Sequence, residues 1–324
     1  MANDRTFYAC QAVAIAVQLP DANTGEYAAP AAGDYQFLHG VQSVGLNTNF
    51  EFENVFELGQ LEIYDSVLQI PQIEVTLEKV LDNHPTVYSL VGSDQDLLID
   101  SKKRVCLKFA IYKDTENAGV SAPLQTVYCT GMYVNSVSYQ FPVDGNLTES
   151  VTLAGNHKEW NNDTLNIPAD ISDNDTSTTD EPLGGNVLTR KDVTGLSLPQ
   201  GGDKVQSVNI SIDLGREDLL ELGQKAPYAR IPNYPVEVTA EIEYLVDENT
   251  LETGTGFDED TDELPIRDQT ISVTAGAYTV DLGNKCFLKS VTYGGGDASG
   301  GNATVQYSYS TYNTFNVTYA APAP

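Results

Sequence analysis

Apolar and polar side chains alternate with a period of two along several short segments of this 324-residue chain. Residues 72–80 place three aliphatic side chains on one side and two glutamates and a threonine on the other, and residues 236–244 repeat the pattern. Period two with one apolar face is typical of a β-strand that is buried on one side only. Both segments are therefore predicted to be half-buried strands.

The same reasoning predicts strands at 41–50 and 104–112. A short turn or helix is expected after the first of these, ending at Gly59. Pro85 opens a brief apolar segment that closes at Gly92, which indicates a short helix because proline fits the first turn of a helix. Residues 9–19 are apolar after a basic residue, but polar interruptions favour a strand or terminal arm over a signal peptide.

Two hairpins are predicted. In residues 127–154, apolar side chains recur on one face before and after an Asp-Gly dipeptide, which is a strong hairpin signal. Residues 285–293 and 303–312 are expected to form a second hairpin, joined by the glycine-rich segment 294–301. Few segments have helical periodicity, and Tyr, Val, Thr and Gly are abundant, so the fold class is predicted to be mainly β.

The chain also repeats itself. Residues 41–60 and 205–224 align without a gap, and nine of the twenty positions are identical, whereas ordinary composition would give about one. One residue is then lost, and the Glu-Val-Thr core of 73–76 aligns with 236–239. Two copies at a domain-sized spacing predict a tandem duplication of one domain.

The duplication sets the expected domain organisation. Residues 1–165 form the first copy with an N-terminal arm, 166–185 form an acidic linker, and 186–324 form the second copy. Domains of this length bury a sizeable core. The segment around the linker is rich in Asp, Asn, Ser and Thr and has no basic residue, as is typical of a solvated loop.

The charge excludes one class of function. Seventeen basic and 46 acidic residues give a formal net charge of −29. Attraction to nucleic acid depends on clusters of Lys and Arg, so a nucleic-acid-binding protein is excluded. The charge fits either plain solubility or a surface along which nucleic acid slides without binding.

No catalytic or metal site emerges. The four cysteines, Cys10, Cys106, Cys129 and Cys286, are too widely spaced for a zinc motif. A disulfide between Cys106 and Cys129 is conceivable, but free, half-buried thiols are favoured.

Other motifs are incomplete. The acidic run 258–262 lacks the glycine and glutamate of a calcium loop, and 173–175 fails in the same way. The glycine-rich segment has no P-loop lysine. The three histidines are expected in separate loops, and no nucleophile motif is present. The chain is therefore predicted not to be an enzyme and to need no cofactor.

Several segments together resemble a bacteriophage tail tube protein. They are Val41–Phe50, Phe56–Gln60, Pro71–Val80 and, most specifically, Val137–Glu149. The resemblance covers most of 37–157 and, through the repeat, a weaker part of 186–320. It implies two tandem β-sandwich or barrel-like tube domains, each with a long hairpin in the inner wall of a ring.

The resemblance further implies a structural protein of the virion tail, assembled in the host cytoplasm as stacked rings that conduct DNA. Six tube domains complete a ring in this family, so a duplicated chain is expected to form rings of three. Expected partners are further copies of the chain and other tail proteins: a sheath or terminator, a tape measure and a baseplate. DNA passes without specific binding, and no membrane is involved.

Two sets of residues are predicted for the inner wall. Acidic side chains alternate with core positions on strands that the resemblance places near the lumen: Glu74, Glu78, Glu237, Glu241 and Glu243. A solvated face of an antiparallel sheet explains the same pattern without any function. The candidate inner-wall hairpin is represented by Tyr139, Phe141, Pro142, Asp144 and Gly145.

Two alternatives remain open. A tail hub or distal-tail protein reuses the tube domain in doubled form, and would form a single ring. A secreted tandem β-sandwich adhesin or carbohydrate-binding module with calcium loops belongs to a different class. It would carry a signal peptide and complete calcium loops.

Overall fold

The computed structural model describes residues 11–20, 27–82, 84–92, 96–113, 123–161, 186–199, 204–224, 226–246, 267–295 and 302–320. These residues form β-strands with two short helices, which confirms the mainly β fold class. The strands are β1 (Gln11–Gln18), β2 (Gln36–Phe37), β3 (Val41–Asn49), β4 (Phe52–Phe56), β5 (Ile63–Leu68), β6 (Gln72–Val80), β7 (Arg104–Ile111), β8 (Gln125–Pro142), β9 (Thr148–Gly155), β10 (His157–Asn161), β11 (Val193–Ser197), β12 (Val205–Asp213), β13 (Arg216–Leu219), β14 (Ala229–Pro232), β15 (Glu237–Leu245), β16 (Ser272–Ala275), β17 (Tyr278–Asp281), β18 (Phe287–Gly294), β19 (Thr304–Tyr312) and β20 (Asn316–Tyr319). The helices are α1 (Val87–Val91) and α2 (Leu97–Asp100).

Eight strands form one continuous antiparallel sheet, called the main sheet below. Their order is β3-β6-β9-β8-β12-β15-β19-β18. The first four strands, from residues 41–155, are called the first unit, and the last four, from residues 205–312, the second unit. Each unit has the same order of strands along the chain and across the sheet.

Strand β8 is 18 residues long and belongs to two layers. Its first part pairs with β7 and β10, and β7 leads on to β1 and β2. Its last part, from Tyr133, pairs with β9 and β12 in the main sheet. The change of partners coincides with a bulge between Val134 and Ser136, where an extra residue bends a strand.

The second layer covers one face of the main sheet. Over the second unit it includes a separate four-stranded sheet, β11-β16-β17-β20. One hydrophobic core joins the main sheet to the second layer and to the two helices. Two hairpins stand apart from the layers: the first arm, residues 50–69 with β4 and β5, and the second arm, residues 214–233 with β13 and β14.

The two units share irregularities as well as strands. Strands β3 and β12, the first strand of each unit along the chain, both carry a bulge at the glutamine of their Val-Gln-Ser-Val segment, Gln42 and Gln206. The residue two positions earlier has a positive φ in both, 74° at Gly40 and 61° at Lys204. The following serines donate a hydrogen bond to a glutamate on the neighbouring strand in each unit. The two units therefore share local departures from regular geometry as well as strand order.

The hairpin strands match in the same way. One residue of each strand has no partner in the hairpin ladder: Asn135 of β8 in the ladder with β9, and Lys289 of β18 in the ladder with β19. The segments that follow, Ser-Val-Ser-Tyr and Ser-Val-Thr-Tyr, occupy the same ladder positions. The arms also pair in the same register, since Phe52 lies opposite Leu68 and Arg216 lies opposite Pro232.

The ladder corrects one detail of the sequence alignment. Ser43 pairs with Glu78, and its counterpart Ser207 pairs with Glu243. Strand β6 therefore corresponds to β15 with one residue gained, whereas the sequence alignment had one residue lost. Ile73 corresponds to Val238, two positions beyond the residue that sequence alignment gave it.

Most predicted elements are confirmed. Strands β6 and β15 bury their apolar sides, and the predicted hairpins appear as β8–β9 and β18–β19. The predicted terminal strand is β1, and the brief helix is α1, which Thr86 caps with a hydrogen bond from the backbone N–H of Ser89. The segment before Gly59 is strand β4 followed by a turn, not a helix. The expected linker 166–185 lies outside the described residues.

Candidate assembly surface and conduit wall

The two units are joined edge to edge by β8 and β12. Val208 lies opposite Phe141, and Ile210 lies opposite Tyr139, along a ladder that runs from Ser207 to Asp213. The apolar side chains on both strands are buried. Strand β8, at the edge of the first unit, thus pairs with β12, at the edge of the second unit. This contact is called the internal joint below.

The second arm reinforces the internal joint with Arg216. Its Nε donates to the Val134 carbonyl oxygen at 2.6 Å, and its Nη2 donates to the Ser101 carbonyl oxygen at 2.8 Å. The guanidinium also lies 4.9 Å from the ring centroid of Tyr133. Burial lowers the pKa of Arg216 to about 10. The planar donor fork of arginine suits this set of carbonyl oxygens.

A second arginine ties the same arm to the first unit. Arg230 forms an ion pair with Asp218 at 2.7 Å, and Nη2 donates to Gln72 Oε1 and to Asn156 Oδ1. Arg230 is buried, and the two amide acceptors lie in β6 and at the residue that follows β9. The second arm therefore crosses the internal joint and docks on the first unit by polar contacts.

Replacing Arg216 by lysine should lower the free energy of unfolding by about 1–3 kcal/mol, because an ammonium cannot reach all of these carbonyl oxygens and leaves buried acceptors without partners. Urea unfolding of the chain measures the loss. Arg190→Lys is the matched control, because that arginine is largely exposed and faces the exposed Asp144 at 3.9 Å. Equal stability of the two variants would contradict the assigned role of Arg216.

The uncovered face of the main sheet is acidic. All five predicted wall glutamates project from it, opposite the core: Glu74, Glu78 and Glu241 are exposed, and Glu237 and Glu243 are half-buried. Asp213 adds a sixth carboxylate. Of the two lysines on the main-sheet strands, Lys79 is buried beside Asp82, and Lys289 pairs with Glu237. The hydrogen bond from Lys289 lowers the pKa of Glu237.

Hydroxyl and amide groups fill the space between these carboxylates. At the internal joint the uncovered face forms an open groove lined by serines of β8, β9 and β12, with Asp213, Glu237 and Thr239 at its sides. Val137 and Ile212 also line this groove. The face is suited to contact with water or with a polyanion that is kept hydrated.

The predicted hairpin residues divide between the core and the turn. The side chains of Tyr139 and Phe141 are buried on the core side of the main sheet. Pro142 is half-buried, and Asp144 and Gly145 form the exposed turn. Gly145 has φ of 112°, a conformation that favours glycine. The hairpin thus contributes its backbone and its serines to the uncovered face, while its aromatic rings pack in the core behind the sheet.

A buried carboxylate fixes the helix against this hairpin. Glu149 on β9 accepts hydrogen bonds from the backbone N–H groups of Val87 and Tyr88, at 2.9 and 3.0 Å, and from the hydroxyl of Tyr139 at 2.6 Å. Burial raises the pKa of Glu149 above its usual value. The alternating pattern of 148–155 places Glu149 in phase with the buried Val151 and Leu153, but it does not show which groups the carboxylate binds.

The main sheet ends in two open edges. Strand β3 pairs only with β6, and β18 pairs only with β19, among the described strands. Several apolar side chains on these edge strands are exposed, although their counterparts at the internal joint are buried: Val44 is 36% exposed against 1% for Val208, and Tyr293 is 59% exposed against 1% for Tyr139. Exposed edges of this kind pair readily with another strand.

The first arm is apolar on its surface. Exposed aromatic and aliphatic side chains run along both of its strands and the adjoining turns: Phe50, Phe52, Val55, Phe56, Leu58, Leu61, Ile63, Tyr64, Val67 and Leu68. Ten exposed apolar side chains on one hairpin mark an interaction surface. The sequence analysis did not identify this surface. The repeat contains a sign of it, because Phe52 occupies the position of Arg216 in the second copy.

Other candidate chemistry is not supported by the geometry. Cys106, Cys129 and Cys286 are free and buried, and burial raises the pKa of the Cys129 thiol to about 11. No group of three or more His, Cys, Asp or Glu among the described residues is arranged to hold a metal ion. The acidic runs 173–175 and 258–262 lie outside the described residues.

The histidines differ from expectation. His39 and His84 are not separate but stack with ring centroids 4.0 Å apart, and His157 begins strand β10 instead of lying in a loop. None of the helices in the described part of the chain has the length and apolar character needed to cross a lipid bilayer.

No protein-family model matches this sequence, and a search of curated proteins finds no significant match.

Proposed function

We propose that this chain is a structural subunit of a phage-type tail tube, in which three chains close a ring and stacked rings form a conduit for DNA. One observation carries the proposal: two similar units pair edge to edge within the chain, and the counterparts of the paired edges, β3 and β18, are left open. A contact between two different edges is heterologous, so it repeats from chain to chain until a ring closes.

Three chains supply six similar units, the number that completes a ring in the family that the sequence resembles. Each chain contributes eight strands to the ring. At a spacing of about 4.8 Å between strands, the closed sheet has a circumference of about 115 Å and a diameter of about 37 Å, and strand tilt widens it further. Such a ring has room for a nucleic-acid duplex along its axis.

The uncovered face of the main sheet is the one that suits the inside of the ring. The second layer, the helices and the core lie behind the other face, and a wide layer fits outside a closed sheet more easily than within it. The lumen is then lined by carboxylates, hydroxyls and amides. Like charges repel the phosphate backbone, so DNA passes along the wall without binding.

Two rival functions remain. A tail hub or distal-tail protein would use the same ring without stacking. A calcium-dependent adhesin or carbohydrate-binding module would act as a single chain or through a calcium site, and its candidate loops lie outside the described residues. The exposed apolar first arm favours an assembly of many chains over either a monomeric module or an enzyme.

Electron microscopy of the purified protein tests the proposal. We expect rings with six similar lobes that contain three chains by mass measurement, and polymers of stacked rings at higher concentration. A single ring that never stacks would favour the hub. A monomer at all concentrations would overturn the proposed function. Rings of six chains would contradict the assignment of both units to the inner wall.

A further inference from the structure

Resting on the proposed ring, the internal joint serves as a template for the contact between chains. We infer that the open edges β3 and β18 of neighbouring chains pair in the register of the internal joint, and that an aromatic clasp replaces the arginine contacts found within the chain. The clasp joins one aromatic pair at the base of the first arm to another beside β18 of the next chain. The pairs are Phe50 with Phe52, and Phe287 with Tyr312.

The register follows from matched positions. Within the chain, Ile210 lies opposite Tyr139 and Ser211 opposite Ser138. Strand β3 corresponds to β12 at a spacing of 164 residues, and the shared bulges align β8 with β18. Between chains, Leu46 therefore faces Tyr293, Asn47 faces Thr292, and Thr48 faces Val291.

This register places each edge residue on the same face of the sheet as its counterpart at the internal joint. Val44, Leu46, Val291 and Tyr293 come to lie on the core side, where their counterparts are buried, and Asn47 and Thr292 come to lie on the uncovered face. Pairing in this register buries the exposed valines and tyrosine of both edges at once. A slip of one residue would turn these side chains towards the acidic face.

The base of the first arm supplies the first half of the clasp. Phe50 corresponds to Leu214, which is buried at the internal joint, and Phe52 corresponds to Arg216. Both phenylalanines are more than half exposed within one chain. They lie where the second arm carries the groups that cross to the neighbouring unit.

The second half of the clasp lies beside β18. Phe287 corresponds to Tyr133, on whose ring Arg216 lies, and Tyr312 corresponds to Asn156, which accepts a hydrogen bond from Arg230. The rings of Phe287 and Tyr312 stack at 5.9 Å, and Tyr312 is half exposed. One aromatic side chain thus replaces a polar one on each side of the same contact, Phe52 in place of Arg216 and Tyr312 in place of Asn156.

Paired changes of this kind make the two joints chemically distinct. The second arm carries a buried arginine that needs carbonyl and amide acceptors, whereas the first arm offers phenylalanines to an aromatic surface. Exchanging the partners would leave Arg230 without the amide acceptor Asn156, because Tyr312 takes that place beside β18, and such unpaired polar groups exclude wrong partners. The occupant of each open edge is therefore the opposite edge of another copy of this chain.

Disulfide trapping tests the register. Asn47→Cys with Thr292→Cys, in a chain with Cys10 replaced by serine, should give covalent closed trimers on mild oxidation, because the matching pair Ser211 and Ser138 is a close pair across the internal ladder. The intrachain pair Ser138→Cys with Ser211→Cys is the positive control. Asn49→Cys with Thr292→Cys is two residues out of register and should yield at least about tenfold less crosslink.

Truncation tests the clasp. Phe50→Ala with Phe52→Ala should raise the chain concentration needed for half-maximal ring formation by about tenfold or more, as buried aromatic anchors do in other interfaces. Both residues are exposed in the single chain, so its melting temperature should stay unchanged. Leu124→Ala, a similarly exposed apolar residue that lies outside both arms and both open edges, should leave ring formation unaltered.

The outcomes separate this inference from the proposed function. Three-chain rings that form without the Asn47–Thr292 crosslink, or that tolerate loss of both phenylalanines, overturn the inference and leave the proposed function standing. Failure of the unaltered chain to assemble at any concentration overturns both. Crosslinked trimers together with weakened assembly of the phenylalanine variant support the register and the clasp.

Discussion

Replacing the five wall glutamates by lysine should turn the proposed tube from a conduit that releases DNA into one that retains it. Each substitution changes the formal charge by two, so the chain moves from −29 by ten units towards neutrality, and all of the change lies on the uncovered face. A single pair of charges at about 4 Å in water interacts by only about 1 kcal/mol. The effect therefore requires the whole ring of side chains, not any one of them.

The measurement is DNA retention by assembled tubes at two salt concentrations. Binding should be absent in the unaltered tube, strong in the variant at about 50 mM salt, and weaker by orders of magnitude at about 200 mM, because counterions compete for phosphate contacts.

A matched control carries the same change of charge away from the wall. Five exposed glutamates on the arms become lysine: Glu51, Glu53, Glu57, Glu217 and Glu221. Equal retention of DNA by both variants would show that the uncovered face does not line the lumen.

Replacing Glu149 by leucine should lower the free energy of unfolding by about 3–5 kcal/mol. The change leaves two backbone N–H groups at the start of α1 and the buried Tyr139 hydroxyl without their acceptor. Urea unfolding of the single chain measures the loss. Glu78→Leu, on the exposed face of the adjacent strand, is the control and should change stability by less than 1 kcal/mol.

The same carboxyl group should make stability depend on pH. Burial raises the pKa of Glu149 in the folded chain above the ordinary value of about 4.3. As pH rises from that value through the folded pKa, the unfolded chain loses its proton first, so the contribution of Glu149 to stability falls and then levels off. Unfolding of the native chain and of Glu149→Gln at a series of pH values should reveal this relative loss. A difference that grows towards high pH in favour of the native chain would contradict it.

Sequence reasoning recovered most of the strands because alternation reports directly which side of a strand is buried. Strands β6 and β15, both long hairpins and the helix after Pro85 all follow from local pattern. The five wall glutamates share one face for the same reason. The alignment of β6 with β15 slipped by two residues because a shift of two keeps every side chain on its own face, so the pattern does not distinguish the two registers.

The features that were missed depend on which strands become neighbours. Nothing in the residues of β8 shows that it changes partners at Val134 and then pairs with β12, since a pattern of burial does not name the partner. The acceptor role of Glu149 was missed because it depends on the helix packed behind β9. The first arm was hidden for a similar reason: its apolar side chains suggest a core, and only the structure shows that no described segment of the chain covers them.

The internal joint also changes how an assembly of such chains would form. Strands β8 and β12 belong to one polypeptide, and tethered partners meet at an effective concentration on the order of millimolar, whatever the dilution of the protein. Half of the contacts in a three-chain ring would then form as each chain folds, and only three bodies would lose translational freedom instead of six. Dilution would act on the contacts between chains alone, so a dissolving ring would shed whole chains and never an isolated unit.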